Sequence, residues 1–435
     1  MISAFRTGLV ATAAGLATAA QAQQAAPAAT VVAVPPLSTP ADRQTSAGGT
    51  LSIAWQASEL IAQDLRTTAE IMPLPPVQKD YYSFPEVTAR GFANWRSKGA
   101  KVLVTGFVQA RSDGRITFGC YAYDVDKGRE VARKGFVVAP DEWQRAAHKC
   151  SGLAYTAVTG APGSFDTRIA YVAETGPSGA RIKRVAIVDS DGSNHRYLSA
   201  GETMALTPRL SPNGRQLAYV SFTGGTPHVR IRDVDGSNDR ALLQPGSMSF
   251  APRFSPDGKR IVFSMSVVGN VDIYTVQSDG SLPRRLTTSP GVDTDASFSP
   301  DGSRIVFESD RGGLQQLYVM DARDGSGQRR LSFGGAAYAA PDWSPDGNWI
   351  AFTRRDPGGR RVGIVKADGS GERLLTAGPA DEGPSWAASS RELLFQRSDP
   401  AGNSSLLRAS VDGGDPRPVA LPQGASDPDW SGVAN

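Results

Sequence analysis

The feature that most constrains this chain is a tract that recurs. Arg253-Phe254-Ser255-Pro256-Asp257-Gly258, Ser297-Phe298-Ser299-Pro300-Asp301-Gly302 and Asp342-Trp343-Ser344-Pro345-Asp346-Gly347 share one pattern, and Arg209-Leu210-Ser211-Pro212-Asn213-Gly214 is a weaker copy. Their prolines stand at 212, 256, 300 and 345, a period near 44 residues. Each copy runs into a short apolar segment, then a second one ending in Asp-Gly, then a shorter one near Arg-Leu. Four short strands at such a period predict a β-propeller. One blade cannot bury both faces of its sheet, so the unit is stable only as a closed ring. The Ser-Pro-Asp-Gly tract reads as turn chemistry: Pro presets φ at the second turn position and Gly takes the positive φ that reverses the chain.

Counting strand types gives the number of blades. Inner strands fall at Leu210, Phe254, Phe298, Trp343, Trp386 and Trp430; second strands at Tyr171, Tyr219, Phe263, Phe307, Phe352 and Phe395; the later Asp-Gly turn (or its equivalent) at Gly192, Gly236, Gly280, Gly325, Gly369 and Gly413. All three counts are six. The blade opening at Arg168 lacks an inner strand, and Pro428-Asp429-Trp430-Ser431 is an inner strand without a blade. The expected fold is therefore an α/β N-terminal domain followed by an all-β six-bladed β-propeller closed by the C-terminal strand, which leaves no open edge. Ala387-Ala388-Ser389-Ser390 replaces Ser-Pro-Asp-Gly in one copy, and a looser turn is expected there.

Three segments are expected: a leader over residues 1–22, an α/β domain over 23–163 and the propeller over 164–435. The leader has Arg6, an apolar run and the small-x-small triplet Ala20-Gln21-Ala22, the pattern of a secretory signal cut after Ala22. Its apolar run is too short for a permanent span of roughly 20 residues. No later stretch is apolar enough to cross a membrane, and no Cys follows the cut to carry a lipid. A soluble periplasmic protein, expected to be a monomer, is the reading.

In the α/β domain, residues 30–34, 101–109, 116–124 and 131–138 read as strands. Residues 54–67, 91–98 and 140–158 read as helices, and Asp113-Gly114 as a hairpin turn. Cys120 lies in a strand and Cys150 in a helix; export permits a bridge, and two separate buried thiols are the alternative. His148 reads as structural.

Composition closes off other functions. Two Cys and three His fail the ligand arithmetic of a zinc site, and no metal or cofactor is expected. A formal charge of +3 is no nucleic-acid footprint. A propeller-bearing hydrolase needs a Gly-x-Ser-x-Gly elbow on a further domain, and none is present, so no catalytic residue is assigned. A small-molecule or glycan-binding propeller would repeat an aromatic residue at one loop position; Tyr338 stands near one mouth without aromatic equivalents.

The repeats, with Gly163-Ser164-Phe165-Asp166-Thr167-Arg168-Ile169-Ala170-Tyr171-Val172, Ala147-His148 and Ala62-Gln63-Asp64-Leu65, resemble the TolB family, the periplasmic component of the Tol–Pal envelope system. The resemblance implies a non-enzymatic adaptor. Its propeller would bind a Pal-type peptidoglycan-associated lipoprotein over one channel mouth, and its N-terminal part would communicate with a TolA-type inner-membrane protein, in support of outer-membrane integrity, constriction at division and protein import. The family's Pal contacts carry over onto Met248, Ala251, Thr294 and Asp295. The family's extended N-terminal arm is short here: only Gln23 to Ala29 separate the expected cut from the first strand.

Overall fold

The computed structural model describes residues 29–80, 91–177, 179–243, 248–267 and 269–430. The expected leader and its cleavage site at Ala20 and Ala22 lie outside them.

The small domain is built from β1 (Thr30–Ala33), α1 (Thr50–Arg66), β2 (Ile71–Leu74), α2 (Phe92–Ser97), β3 (Val102–Ala110), β4 (Ile116–Asp124), β5 (Arg129–Val138) and α3 (Trp143–Thr159). Its sheet has the order β2-β1-β3-β4-β5. β1 is parallel to both neighbours, and β3, β4 and β5 form an antiparallel meander. Helices α1 and α3 lie on one face because Ile53, Ala57, Ile61 and Leu65 on α1, and Ala147, Cys150 and Ala154 on α3, recur at helical spacing and are buried there. Helix α1 starts four residues ahead of the apolar pattern, since Asp42 accepts the Leu51 N–H at 3.1 Å and so caps its first turn from outside the helix. Cys120 on β4 and Cys150 on α3 are joined by a disulfide, with Cα atoms 5.8 Å apart, which fastens α3 to the sheet.

The propeller has six four-stranded sheets. In blades I to VI the inner strands are Gly424–Trp430, Ala205–Leu210, Met248–Phe254, Asp293–Phe298, Ala337–Trp343 and Asp381–Trp386. Blade I is closed as the sequence predicts: Ala425 pairs with Ala173 and Trp430 with Ile169. The second-strand aromatics Tyr171, Phe263, Phe307, Phe352 and Phe395 are all fully buried between sheets. Such rings bury roughly 150–250 Å² each and dominate this kind of core.

The Ser-Pro-Asp-Gly tracts are braced turns. The Gly258 N–H donates to Ser255 O at 2.8 Å, the Ser255 hydroxyl donates to Asp257 at 2.5 Å, and the Arg260 N–H donates back to Ser255 Oγ at 2.9 Å. Residues 299–304 and 344–349 repeat this arrangement. The Ser299 hydroxyl holds the Asp301 carboxyl down at about 2, so these aspartates serve the turn. The degenerate turn of blade VI is not looser. Ser390 takes φ +56° in place of glycine and donates its N–H to Ala387 O at 3.0 Å, while its hydroxyl accepts the Asp346 N–H of blade V at 3.0 Å. Outside the ring, equivalent arginines of the short fourth strands strap blades II to IV to their successors: Arg240 donates to Ser278 O and Arg284 to Arg323 O, both at 2.6 Å, and Arg329 to Ala367 O at 3.4 Å.

The small domain rests on the turn face of blades VI and I. Arg391, just after the degenerate turn, pairs with Glu70 at 3.2 Å, and Arg417 donates to Thr67 O. His148 is the pin of this contact. Its Nδ1 meets Asp64 at 2.8 Å within the small domain, and its Nε2 meets Asp191 of blade I at 3.3 Å. Sequence reading finds no acidic partner for His148 because these two lie 84 and 43 positions away. Burial pulls the imidazole down, yet the two carboxylates outweigh it and push it up to about 10, so it is a buried cation between two anions.

Candidate docking mouth and channel lining

Inner strands enter at one mouth and leave through the Ser-Pro-Asp-Gly turns at the other, so the mouth face lies opposite the small domain. Each inner strand carries one β-bulge, where its register against the second strand shifts. A bulge re-aims the strand and often demands a left-handed residue. The six residues in that conformation are Thr207, Ala251, Asp295, Ala340, Gly383 and Asp427, with φ between +44° and +65°. Five are not glycine, so each spends conformational energy to bend the strand at the mouth.

The bulges are held by side chains of the preceding blade. The Ala340 N–H donates to Glu308 at 3.1 Å, the Gly383 N–H to Thr353 Oγ1 at 3.0 Å and the Asp427 N–H to Gln396 Oε1 at 2.9 Å. Two residues further along come Arg209, Arg253, Ser297, Asp342, Ser385 and Asp429, a second ring across the channel. Here too neighbouring blades are tied together. The N–H groups of Leu210, Trp386 and Trp430 donate to Asp429 at 2.7 Å, Asp342 at 2.9 Å and Ser385 at 2.9 Å. Arg253 pairs with Asp342 at 3.0 Å and reaches Asp429 at 3.7 Å; Arg209 lies 3.9 Å from Asp429. Two cations and two anions therefore neutralise one another inside the ring.

The four sequence-assigned docking residues fall on two adjacent blades at this mouth. Met248 opens the inner strand of blade III and is 44% exposed; Ala251 is that strand's bulge residue. Thr294 and Asp295 hold the corresponding place in blade IV. Thr294 is buried and donates its hydroxyl to Glu308 at 2.5 Å, so it supports the mouth from beneath. Asp295 is the bulge residue. Burial raises its carboxyl above the usual range against the pull of Arg209 and Arg253. Burial and the Asp295 carboxylate together push Glu308 up to about 7, against the bonds from Thr294 and Ala340.

Glu308, Arg209, Arg253 and Asp427 are site residues that sequence reading missed. The prolines after five of the six bulges, at 208, 252, 341, 384 and 428, were the available signal. Tyr338 is not presented at the mouth: it is 1% exposed and its hydroxyl donates to Glu372 at 2.8 Å. Among the described residues no cluster of three His, Cys, Asp or Glu side chains is arranged to hold a metal ion, and no helix is long and apolar enough to cross a membrane.

The exposed large apolar residues of the propeller are unevenly placed. Ile182, Met204, Met248, Val267, Val292, Leu314 and Phe333 all lie at strand ends or loops of the mouth face, across blades I to V, with Phe333 73% exposed. Among the described residues, two exposed large apolar side chains of the propeller lie elsewhere: Tyr197 on the outer strand of blade I and Leu282 on the turn face.

Comparison with known proteins places this architecture. The family model of the TolB β-propeller domain matches residues 155–434, and that of the TolB amino-terminal domain matches residues 23–131. A Tol-Pal system protein TolB of Zymomonas mobilis is 49% identical over 200 residues, 46% of this chain and 44% of that one. A homologue of the same name in Rhizorhabdus wittichii is 49% identical over 192 residues, 44% of each chain. The alignments thus span less than half the length of these relatives. The crystal structure of TolB from Acinetobacter baumannii superposes with a TM-score of 0.76 at 28% identity, covering 93% of this chain and 96% of that one.

Proposed function

The chain belongs to the TolB family, and from that premise we propose that it is a non-enzymatic periplasmic adaptor of the Tol–Pal envelope system. On this reading residues 1–22 are removed after Ala22, residues 23–163 form the small domain, and the propeller of 164–435 docks a Pal-type lipoprotein through Met248, Ala251, Thr294 and Asp295. The N-terminal part communicates with a TolA-type inner-membrane protein through a shortened leading tract. The work of the protein is to support outer-membrane integrity and constriction at division.

The observation that carries the reading is the gathering of exposed apolar side chains on the mouth face, away from the small domain. Contiguous apolar surface rimmed by polar groups marks a protein-binding face. The mouth also offers a polar group for orientation: Asp295, braced from beneath by the buried Glu308 and Thr294, beside the apolar Met248 and Ala251.

The test is binding of the purified chain to the soluble peptidoglycan-binding domain of a lipoprotein from the same cell. Met248→Glu, on an exposed side chain, is expected to weaken binding at least tenfold, and Thr294→Arg with Asp295→Arg to abolish it. Wild-type affinity in both, with unchanged melting, overturns the assignment. Detergent sensitivity of a deletion strain reports on the envelope role; a strain with an intact barrier and normal division counts against it.

A further inference from the structure

We propose that the outer edge of the small domain's sheet is a second docking surface, which takes an extended, acidic segment of another protein as a sixth strand beside β5. The proposal does not rest on the mouth assignment. The two edges of this sheet differ. β2 has four residues and contains Pro73, features that keep an edge from pairing. β5 has ten residues without proline and pairs, among the described residues, with β4 alone. A long strand with free backbone groups is a template for strand addition.

Beside β5 lies the groove that sets its chemistry. It has a volume of about 530 Å³ and is lined by Ala132, Lys134 and Phe136 from the strand and by Lys149, Leu153 and Thr156 from α3. Phe136 forms an apolar floor, with the ammonium groups of Lys134 and Lys149 at 5.9 Å and 5.4 Å from its ring centre. Asp166 closes one end, but Arg145 at 3.2 Å and Lys149 at 3.7 Å already engage it. Glu130, the one carboxylate of β5, is bound by Arg133 at 2.6 Å. The rim is therefore cationic. An extended chain places every second side chain on one face, so an added strand would set acidic groups on Lys134 and Lys149 and an apolar one on Phe136.

The same charges disfavour a parallel, in-register copy of β5 as occupant, since Arg129, Arg133 and Lys134 would face their own kind across the new ladder. Lysines that merely guard an edge need no groove behind them.

The test uses the full chain and two capped twelve-residue probes, one alternating glutamate with valine and one alternating lysine with valine. Saturating glutamate probe is expected to slow amide exchange of residues 129–138 at least tenfold and to leave the propeller unchanged. Lys134→Glu with Lys149→Glu is expected to weaken binding at least tenfold, and Lys134→Gln alone roughly threefold, in proportion to the charge removed. Absence of protection at 129–138, equal binding of the lysine probe, or an affinity indifferent to the double reversal in a variant of unchanged melting overturns the proposal.

Discussion

Replacing Asp342 by alanine strikes the channel ring where it carries most. Its carboxylate accepts the Trp386 N–H at 2.9 Å and pairs with Arg253 at 3.0 Å. Alanine leaves that N–H buried and unpaired, at a cost of about 1–3 kcal/mol. It also breaks a buried ion pair, which costs about 3–5 kcal/mol when the remaining charge is stranded. The second figure must be cut here, because Arg253 retains Asp429 at 3.7 Å and its side chain is 16% exposed. The sum to expect is about 3–4 kcal/mol. Asp342→Asn keeps an acceptor for Trp386 and should lose about half as much. The assay is guanidinium unfolding followed by the fluorescence of Trp343, Trp386 and Trp430, which lie beside the ring. A loss below about 1 kcal/mol for the alanine variant, or equal losses for both, would refute the view that the ring is a mutually dependent network.

Two further outcomes concern the small domain and its seat. His148 is pushed up to about 10 by Asp191 and Asp64, so its contribution to docking is complete below the unfolded value of 6.5 and is lost as pH rises through 10. Asp191, held well below its ordinary 3.8 chiefly by His148 and Ser193, contributes above that value and fails as pH falls further. The protection of residues 160–167 against amide exchange, taken relative to the free-peptide rate at each pH, should accordingly be greatest between about pH 4 and 6.5, and His148→Gln should erase its alkaline decline; an unchanged decline in that variant excludes His148 as its source. Cys120→Ser removes a bridge spanning 30 positions, for which chain entropy gives about 3–4 kcal/mol; unfolding under oxidising conditions should fall to the level of the reduced wild type.

How much of this could be read in advance depends on whether a structural requirement repeats in residue type. The turns at 212, 256, 300 and 345 need Pro and a positive φ, few residues supply these, and the blade count follows from them. The closing strand was legible for the same reason, since Asp429-Trp430 matches Asp342-Trp343. The bulges impose one geometry as well, but threonine, alanine, aspartate and glycine all meet it under tertiary constraint, so the bulge residue follows no type and only the proline after five of the six marks the place. The channel ring is less visible still. Arg209, Arg253, Ser297 and Asp342 occupy equivalent places with opposite chemistries because each answers a neighbour across the channel, not a local rule. His148, Asp64 and Asp191 meet only when two domains dock, and no local spacing encodes that.

The pairing of Ala173 with Ala425 joins positions 252 apart. Bringing such distant ends together costs about 5 kcal/mol of chain entropy before any contact is gained. Five sheets can therefore assemble as the polypeptide emerges, but the first waits with a bare flank until Gly424–Trp430 arrives. A chain interrupted ahead of Gly424 would be left as an open crescent instead of a slightly shorter protein, and a cell's proteases would meet an all-or-nothing signal that the ring had closed.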